Sequence, residues 1–524
     1  MLYPLSYEGG LEEAGGEPCG SAGGAVRHRS GPAPDGRLRR TAFRRTPNVR
    51  NVRNIDFKGE RRVRHPKKVL VVLALLGLLA ASCGRSDSNK ASTATTAGGS
   101  ATTAAGAADC KKAPLKATDV GVTADSITVE VMADVGSPLA PGLFQGNLDA
   151  LNAYAKYVNA NGGIACRKLI VKTWDSKLNA DESKNGLIDA CKNALALVGS
   201  NALFNPDVTP MSGCVDQAGA ATGLPDVAAL ANDVNQQCNK TTYLIQGVAE
   251  TCPVTSGQAR PIKVVVGPAK YWLKQTPGLH GLYLVPGDLP GTVQSGATAV
   301  KAMETAGMKW DSTPKVSGRD EQVSYTPRIQ TMKTAKSNFV MNGSNDRAMI
   351  NARKESKAQG YDGVTVWGCG LSCYTRNFLA AGADVEGTYV WLQFLPFEEK
   401  ASNKELAAYV DNVGENKVDS FGAQAWQAAA LFKTAVDQVV KADGPNGLTR
   451  SAILKALASI KSFDANGWMG TKDPRGMSNC YVMTQVKAGK FVRVYPAKVG
   501  TFDCDAGNVA TVNVDPVVEA QRIK

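Results

Sequence analysis

Histidine is scarce in this chain. Its 524 residues include three histidines, and His280 is the only one after residue 65. A single histidine excludes most catalytic triads and the histidine-rich metal sites. The sequence after residue 109 also lacks a Gly-x-Ser-x-Gly turn, a P-loop and a dinucleotide-binding fingerprint. The sequence therefore predicts a protein that is not an enzyme and that carries no cofactor and no metal site.

An apolar stretch near the start of the chain is too short to span a bilayer. Residues 69–82 form an uncharged run of fourteen residues that follows the basic residues Arg64, Lys67 and Lys68. This length is typical of the apolar part of a signal peptide rather than of a transmembrane helix. We therefore interpret residues 63–82 as a signal peptide for export.

The end of this stretch resembles a bacterial lipobox, in which small residues precede a cysteine that is lipidated and becomes the mature N-terminus. Here Leu79, Ala80, Ala81 and Ser82 precede Cys83, with the leucine one position earlier than the motif prefers. The alternative is a plain secretory cleavage site beside an incidental cysteine. The resemblance implies that the protein is exported and is held on the outer face of the cell membrane by lipid on Cys83 alone.

Low-complexity segments flank the signal peptide. Residues 1–62 are rich in Gly, Pro and Arg and show no apolar periodicity, so they indicate a disordered basic leader or a start codon assigned too far upstream. Residues 84–109 consist mainly of Ala, Thr, Ser and Gly, which cannot form a core. Residues 83–117 are therefore predicted to be the lipid anchor and a flexible tether.

The formal net charge of +13 reflects mainly the leader. Residues 1–68 contain fifteen Lys or Arg and seven Asp or Glu, which accounts for +8 of that total. The rest of the chain is too weakly basic to indicate a nucleic-acid partner.

Cysteines are frequent in the predicted folded region, and an even number in an exported chain indicates disulfides. We expect five bridges and no free thiol, although the pairing cannot be derived from the sequence. The spacing of Cys369 and Cys373 differs from the C-x-x-C redox motif. The sequence also lacks a second closely spaced cysteine pair, which a zinc site would need. Nearest neighbours along the chain suggest the pairs Cys238–Cys252, Cys369–Cys373 and Cys480–Cys504. The ten cysteines of this region are Cys110, Cys166, Cys191, Cys214, Cys238, Cys252, Cys369, Cys373, Cys480 and Cys504.

Residues 121–174 show the pattern of a βαβ unit. Apolar residues alternate over residues 127–131, as in a strand, and recur at spacings of three and four over residues 144–158, as in a helix. Gly162 and Gly163 end the helix, and a second apolar run begins at Leu169. A strand, a helix and a strand in this order predict an α/β fold with a parallel sheet.

The same stretch resembles the start of the leucine-binding-protein-like solute receptors, which are type I periplasmic binding proteins that serve ABC importers. The resemblance lies in the lead-in Gly-Val-Thr at residues 121–123, in the phrase Tyr-Val-Asn-Ala-Asn-Gly-Gly-Ile at residues 157–164, and in Arg167-Lys168. It implies two doubly wound parallel-sheet lobes joined by a three-segment hinge, with the ligand between them. The implied first lobe comprises residues 118–250 and 388–470, and the second comprises residues 251–387 and 471–524.

The resemblance also implies the partners, which are a small-molecule solute and ABC permease subunits, and we expect a monomer. Ligands of doubly wound sheets bind beyond the carboxyl ends of the strands. The polar side chains at those positions have an alternative role as caps of the following helices. The candidate ligand-binding residues are Ser137, Phe144, Asn205 and Asn232 in the first lobe, and Asn342, Ser344 and Trp367 in the second.

The amino-acid binders of this family hold the ligand ammonium with a tyrosine and an acidic residue in the second lobe. Those places fall near Pro290 and near residues 367–370 here, and residues 367–370 include no carboxylate. The sequence therefore predicts a solute of the amino acid, amide or small organic acid class, bound mainly by apolar contact and neutral polar groups. A secreted two-lobed α/β enzyme and a ligand-sensing domain of a signalling system are the alternatives.

Overall fold

The computed structural model describes residues 114–137, 140–247 and 257–524. The predicted leader, the signal peptide, Cys83 and nearly all of the tether lie outside the described residues. The strands are β1 Ser126–Ala133, β2 Lys168–Asp175, β3 Ala196–Val198, β4 Asp226–Leu230, β5 Thr242–Gln246, β6 Arg260–Val265, β7 His280–Pro286, β8 Lys309–Ser312, β9 Lys315–Val316, β10 Phe339–Asn342, β11 Val366–Cys369, β12 Tyr389–Leu392, β13 Val482–Lys487, β14 Lys490–Tyr495 and β15 Val509–Val514. The helices are α1 Gln145–Ala160, α2 Ala180–Asn193, α3 Thr209–Ser212, α4 Val234–Cys238, α5 Gly267–Gln275, α6 Pro290–Thr305, α7 Thr326–Ala335, α8 Asp346–Ala358, α9 Arg376–Ala380, α10 Lys404–Val413, α11 Ser420–Asp443, α12 Arg450–Ser459 and α13 Pro516–Gln521.

The predicted βαβ unit is confirmed as β1, α1 and β2. The two strands pair in parallel along all of β1. Gly163, which follows α1, has a φ of +81°, and a Cβ there would lie 2.2 Å from the carbonyl oxygen of Arg167. Glycine is therefore the residue that lets the chain turn from α1 into β2 at this point.

The first lobe is built on a five-stranded parallel sheet in the order β2-β1-β3-β4-β5. Side chains such as Ile127 and Val129 share a buried core with α1 and α11, including Leu151 and Trp426. Residues on the other face of the sheet, such as Met132, pack with α2 and α3. Helices thus cover both faces, as doubly wound sheets require.

The second lobe contains a mixed sheet in which β14, β13, β12, β11, β10, β7 and β8 are neighbours in that order. Strands β12 to β8 run parallel, whereas β13 and β14 form the predicted closing hairpin and pair antiparallel. One face packs against α5 and α6, and the other packs against α7 and α8. The two sheets together confirm the predicted two-lobed α/β fold.

One predicted boundary is wrong. The sequence interpretation assigned residues 388–470 to the first lobe, but β12 pairs with β11 and β13 in the second sheet. All four residues of β12 pair with β13, from Tyr389 opposite Gln485 to Leu392 opposite Val482. The chain therefore leaves the second lobe after Leu392 rather than before residue 388.

The disulfide pairs Cys369–Cys373 and Cys480–Cys504 are confirmed. A third bridge joins Cys191 to Cys214 and had not been predicted as a pair. Cys166 and Cys238 are also disulfide-bonded. The Cys238–Cys252 pair stays a prediction, because Cys252, like Cys110, lies outside the described residues. Every cysteine of the described ranges is thus oxidised, as expected for an exported chain.

Three segments of the chain connect the lobes, and the described residues of the first, which follows β5, are Gly247 and residues 257–259. The second and third segments, residues 393–403 and 460–481, exchange backbone hydrogen bonds between Leu395 and Trp468 (2.8 Å) and between Gly470 and Gln393 (2.9 Å). The buried Lys472 joins the third segment to β5 and to the start of the first segment, since its Nζ donates to the carbonyls of Ile245 in β5 (3.1 Å) and of Gly247 (3.0 Å). These hydrogen bonds define the crossing band.

The crossing band makes a testable prediction about pH. Burial lowers the pKa of Lys472 to about 7. A neutral amine still has two N–H bonds, which is enough for its two carbonyl partners. Between pH 7 and the ordinary lysine pKa, the unfolded chain binds a proton that the folded chain does not. The free energy of unfolding should therefore rise with pH in this window, by up to about 1.4 kcal/mol per unit.

Urea unfolding of the wild type and of Lys472→Met at pH 7 and pH 9 tests this prediction. The methionine variant should be less stable and should lack the extra rise between the two pH values. Identical pH dependence in both proteins would show that Lys472 is charged throughout this range.

Within the described ranges, none of the helices has both the length and the apolar character needed to cross a membrane.

Candidate functional site

A cavity of about 390 Å³ lies where the carboxyl ends of the strands of both lobes meet. The last residues of four strands line it: Leu230 and Gln246 in the first lobe, and Pro286 and Asn342 in the second. This is the position at which doubly wound sheets bind ligands.

The wall of the cavity is mostly apolar. Its polar residues are neutral except for Asp288, and both oxygens of that carboxylate already accept hydrogen bonds, from Ser317 Oγ (2.6 Å) and from Gly318 N (2.7 Å). The apolar residues are Ala140, Leu143, Phe144, Leu178, Leu203, Leu230, Tyr283, Pro286, Leu289, Met341, Leu371, Trp391 and Phe421. The polar residues are Asn232, Gln246, Asp288, Thr292, Ser295, Asn342, Ser344, Asn345, Ser372 and Gln424.

Two phenylalanines from different helices meet at the first-lobe side. Phe144 precedes α1 and Phe421 lies in the first turn of α11, and their ring centroids are 4.8 Å apart in an edge-to-face arrangement. The two helices approach closely at Gly146, where a Cβ would lie 2.1 Å from Oδ2 of Asp419. Asp419 caps α11 by accepting a 2.6 Å hydrogen bond from Gly422 N. The glycine and the cap together fix the two rings at the cavity.

Asp134, which follows β1, holds two of the loops that line the cavity. This carboxylate is fully buried and accepts hydrogen bonds from Ser176 Oγ (2.6 Å), Leu178 N (2.7 Å) and Leu203 N (2.8 Å). Burial raises its pKa, and the three hydrogen bonds oppose that shift. Asp134 is therefore a positioning residue for Leu178 and Leu203.

The second-lobe wall is stiffened by an asparagine and a disulfide. Asn342 Nδ2 donates to the carbonyl of Asn345 (2.8 Å), and Asn342 Oδ1 accepts from Ser344 N (3.1 Å). Ser372 Oγ, inside the Cys369–Cys373 loop, donates to the carbonyl of Ser344 (2.6 Å). These contacts fix the shape of the loop after β10.

Two aromatic residues on the second sheet complete the wall. Tyr283 lies on β7, and Gly343 leaves room for it, since a Cβ at residue 343 would lie 2.6 Å from the tyrosine ring. Trp391 lies on β12, and its Nε1 is buried without a hydrogen-bond partner. A Cβ at residue 370 would lie 3.4 Å from that nitrogen.

The structure places four of the predicted site residues at the cavity: Phe144, Asn232, Asn342 and Ser344. Ser137 and Asn205 are buried in the first lobe and are not among its lining residues. Asn205 N donates to Asp233, the residue that follows Asn232. The role of these residues in binding remains a prediction.

The predicted position of Trp367 is wrong. It is the second residue of β11, which continues to Cys369, so its side chain lies two residues before the carboxyl end of the strand. Its ring lies 5.0 Å from the guanidinium of Arg353, in a separate surface pocket. The residues at the carboxyl end that do line the cavity are Gly370, Leu371 and Ser372.

Sequence reasoning missed Tyr283, Trp391, Phe421 and the hydrogen-bonded pair Gln246 and Gln424. A usable signal existed for Phe421, because Asp419 followed by an Ala-rich helical pattern indicates a capped helix start. No group of His, Cys, Asp and Glu within the described ranges could hold a metal ion.

Comparison with solved structures shows the same fold. A leucine-binding protein from Thermotoga maritima is 12% identical, with a TM-score of 0.53, and covers 74% of this chain and 99% of its own. A fatty acid ABC transporter substrate-binding protein from Thermomonospora curvata is 17% identical, with a TM-score of 0.52, and covers 73% of this chain and 97% of its own. An R. palustris solute-binding protein in complex with benzoate is 16% identical, with a TM-score of 0.52, and covers 72% of this chain and 99% of its own.

No curated protein sequence matches the chain. The profile of the family described as periplasmic binding protein matches residues 126–490, which include the strands of the first sheet and most of the second. This match spans well over half of the chain and agrees with both lobes of the fold. The protein therefore belongs to the type I, leucine-binding-like periplasmic binding proteins.

Proposed function

We propose that this protein is an exported lipoprotein that captures a small solute between its two lobes and delivers it to an ABC importer. The observation that carries the proposal is the apolar cavity at the facing carboxyl ends of both sheets. A solute there contacts both lobes, so its binding energy favours the closed arrangement. The family and the solved neighbours are binding proteins and receptors, which supports a binding rather than a catalytic role.

The proposed solute has an apolar body and makes mostly neutral polar contacts. The lining of the cavity contains no cation, and its one carboxylate is already hydrogen-bonded. A free amino acid would leave its ammonium without the acidic partner that its recognition needs. Two of the solved neighbours, one in complex with benzoate and one a fatty acid ABC transporter substrate-binding protein, support an organic acid rather than an amino acid or an amide.

Mass spectrometry of protein purified under native conditions tests the proposal. We expect about one small molecule per chain, released unchanged on unfolding. A chain that carries no small molecule and binds none from a metabolite extract would contradict the proposed function, as would chemical conversion of the added solute.

Lipidation of Cys83 is a separate prediction. The mature protein should begin at a lipidated Cys83, and Cys83→Ala should move the protein from the membrane fraction to the soluble exported fraction. Ser82→Ala is the matched control, because it keeps a small residue before the cysteine. Fractionation and intact-mass measurement check this. A mature chain that retains residues 1–62 would rule out the proposed processing.

A further inference from the structure

A second cavity of about 520 Å³ continues from the cavity described above. The two share seven lining residues, among them Leu230, Tyr283, Ser295, Met341 and Trp391. We call the cavity at the strand ends the inner chamber and its continuation the outer chamber. Together they are large for a solute the size of benzoate, since pockets of 300–1,000 Å³ hold drug-sized ligands.

The outer chamber is lined by apolar side chains from β6 and α6. Ile262 and Val265 on β6 are 8% exposed, and Met303 on α6 is 3% exposed. Gly247, Gln393 and Met477 come from the three crossing segments. A ligand that reaches this chamber therefore touches both lobes and the crossing band.

The two chambers differ in charge. The inner chamber has the single carboxylate Asp288 and no cation. The outer chamber is lined by Lys263, by Arg260, which already has an interaction partner of its own, and by one carboxylate, Asp233, which accepts a hydrogen bond from Asn205 N. A ligand with one anionic end is favoured with that end in the outer chamber and its apolar body in the inner one.

We propose that the two chambers bind one extended amphiphile, an unbranched acyl chain of about ten or more carbons with an anionic end. This inference rests on the proposed function and names the class of solute. Its apolar chain occupies the inner chamber and passes between Ser295, Tyr283 and Trp391, and its anionic end lies near Lys263.

Calorimetric titration of ligand-stripped protein with butanoate, octanoate and dodecanoate tests the proposal. The Kd should fall by about tenfold for every two methylene groups added. Ser295→Phe should block the passage between the chambers, so the Kd of dodecanoate should rise at least tenfold more than the Kd of butanoate, which is short enough to lie within one chamber. Ser451→Phe, the same substitution at an exposed position of α12 away from both chambers, should bind both acids as the wild type does.

The anionic end is tested with Lys263→Met. This variant should raise the Kd of dodecanoate about tenfold and leave the Kd of dodecan-1-ol unchanged. Lys309→Met is the matched control, because Lys309 lies on β8 away from both chambers. Equal affinity for octanoate and dodecanoate, with no effect of Ser295→Phe, would overturn the inference. If the native protein then still carries another small solute, only the inference of an extended amphiphile fails and the proposed function stands. If the protein carries and binds no solute, the inference and the proposed function both fail.

Discussion

Trp391→Ala is expected to lower solute affinity by about 30-fold or more, because truncation of a central aromatic anchor costs at least about 2 kcal/mol. The indole lines both the inner and the outer chamber. Its removal exposes the ligand to water at the junction of the two chambers and takes away a large apolar contact. Native mass spectrometry of the co-purified solute measures the effect as occupancy per chain.

Trp367→Ala is the matched control for this prediction. It removes the same side chain from the same sheet, but from a strand position outside the cavity. The variant should keep the occupancy of the wild type, although it loses the contact with Arg353 and the packing of the indole against the hydrophobic core. If Trp367→Ala empties the protein and Trp391→Ala does not, the ligand lies elsewhere than in the cavity.

Asp134→Ala should destabilise the first lobe by about 3 kcal/mol or more, because three donors lose a buried acceptor at about 1–3 kcal/mol each. The same change should weaken solute binding, since the loops that carry Leu178 and Leu203 lose their common anchor. Urea unfolding measures the first effect, and occupancy by the co-purified solute measures the second.

Asp181→Ala is the control, because it makes the same substitution and removes the same charge at an exposed position. Asp181 is exposed in the first turn of α2, so its replacement should change the free energy of unfolding by less than about 0.5 kcal/mol. A loss of stability in Asp134→Ala without any loss of occupancy would show that these loops do not shape the binding surface.

The sequence was sufficient for the βαβ unit because local patterns specify it, whereas the two-lobed arrangement was predicted from the family resemblance. Alternation along β1, the helical spacing of α1 and the glycines after it predict a βαβ unit without any long-range information. The disulfide Cys369–Cys373 was equally local, since its partners are four residues apart. Cys480–Cys504 was predicted although its partners are 24 residues apart, because no other cysteine lies between or after them, whereas the pairing of Cys191 with Cys214 depends on how α2 packs against α3.

The candidate site was predicted less completely for two physical reasons. A shift of two residues in the bounds of β11 moved Trp367 away from the carboxyl end, where residues 370–372 lie. Trp391 was missed because β12 pairs with β13, about ninety residues later in the chain, and no local pattern shows such a contact. Tyr283 lies within β7, and its place in the wall depends on the absence of a Cβ at Gly343.

The crossing band has a mechanical consequence. Three separate connecting segments would let the two lobes twist, slide and bend relative to each other. Here the segments are hydrogen-bonded to one another at Leu395–Trp468, Gln393–Gly470 and Lys472–Gly247, so they behave as one flat ribbon. Such a ribbon bends easily about a single axis and resists sliding of its segments within its own plane. We therefore expect one lobe to move against the other mainly by rotation about a single axis, so that the two walls of the cleft meet in the same alignment on each closure.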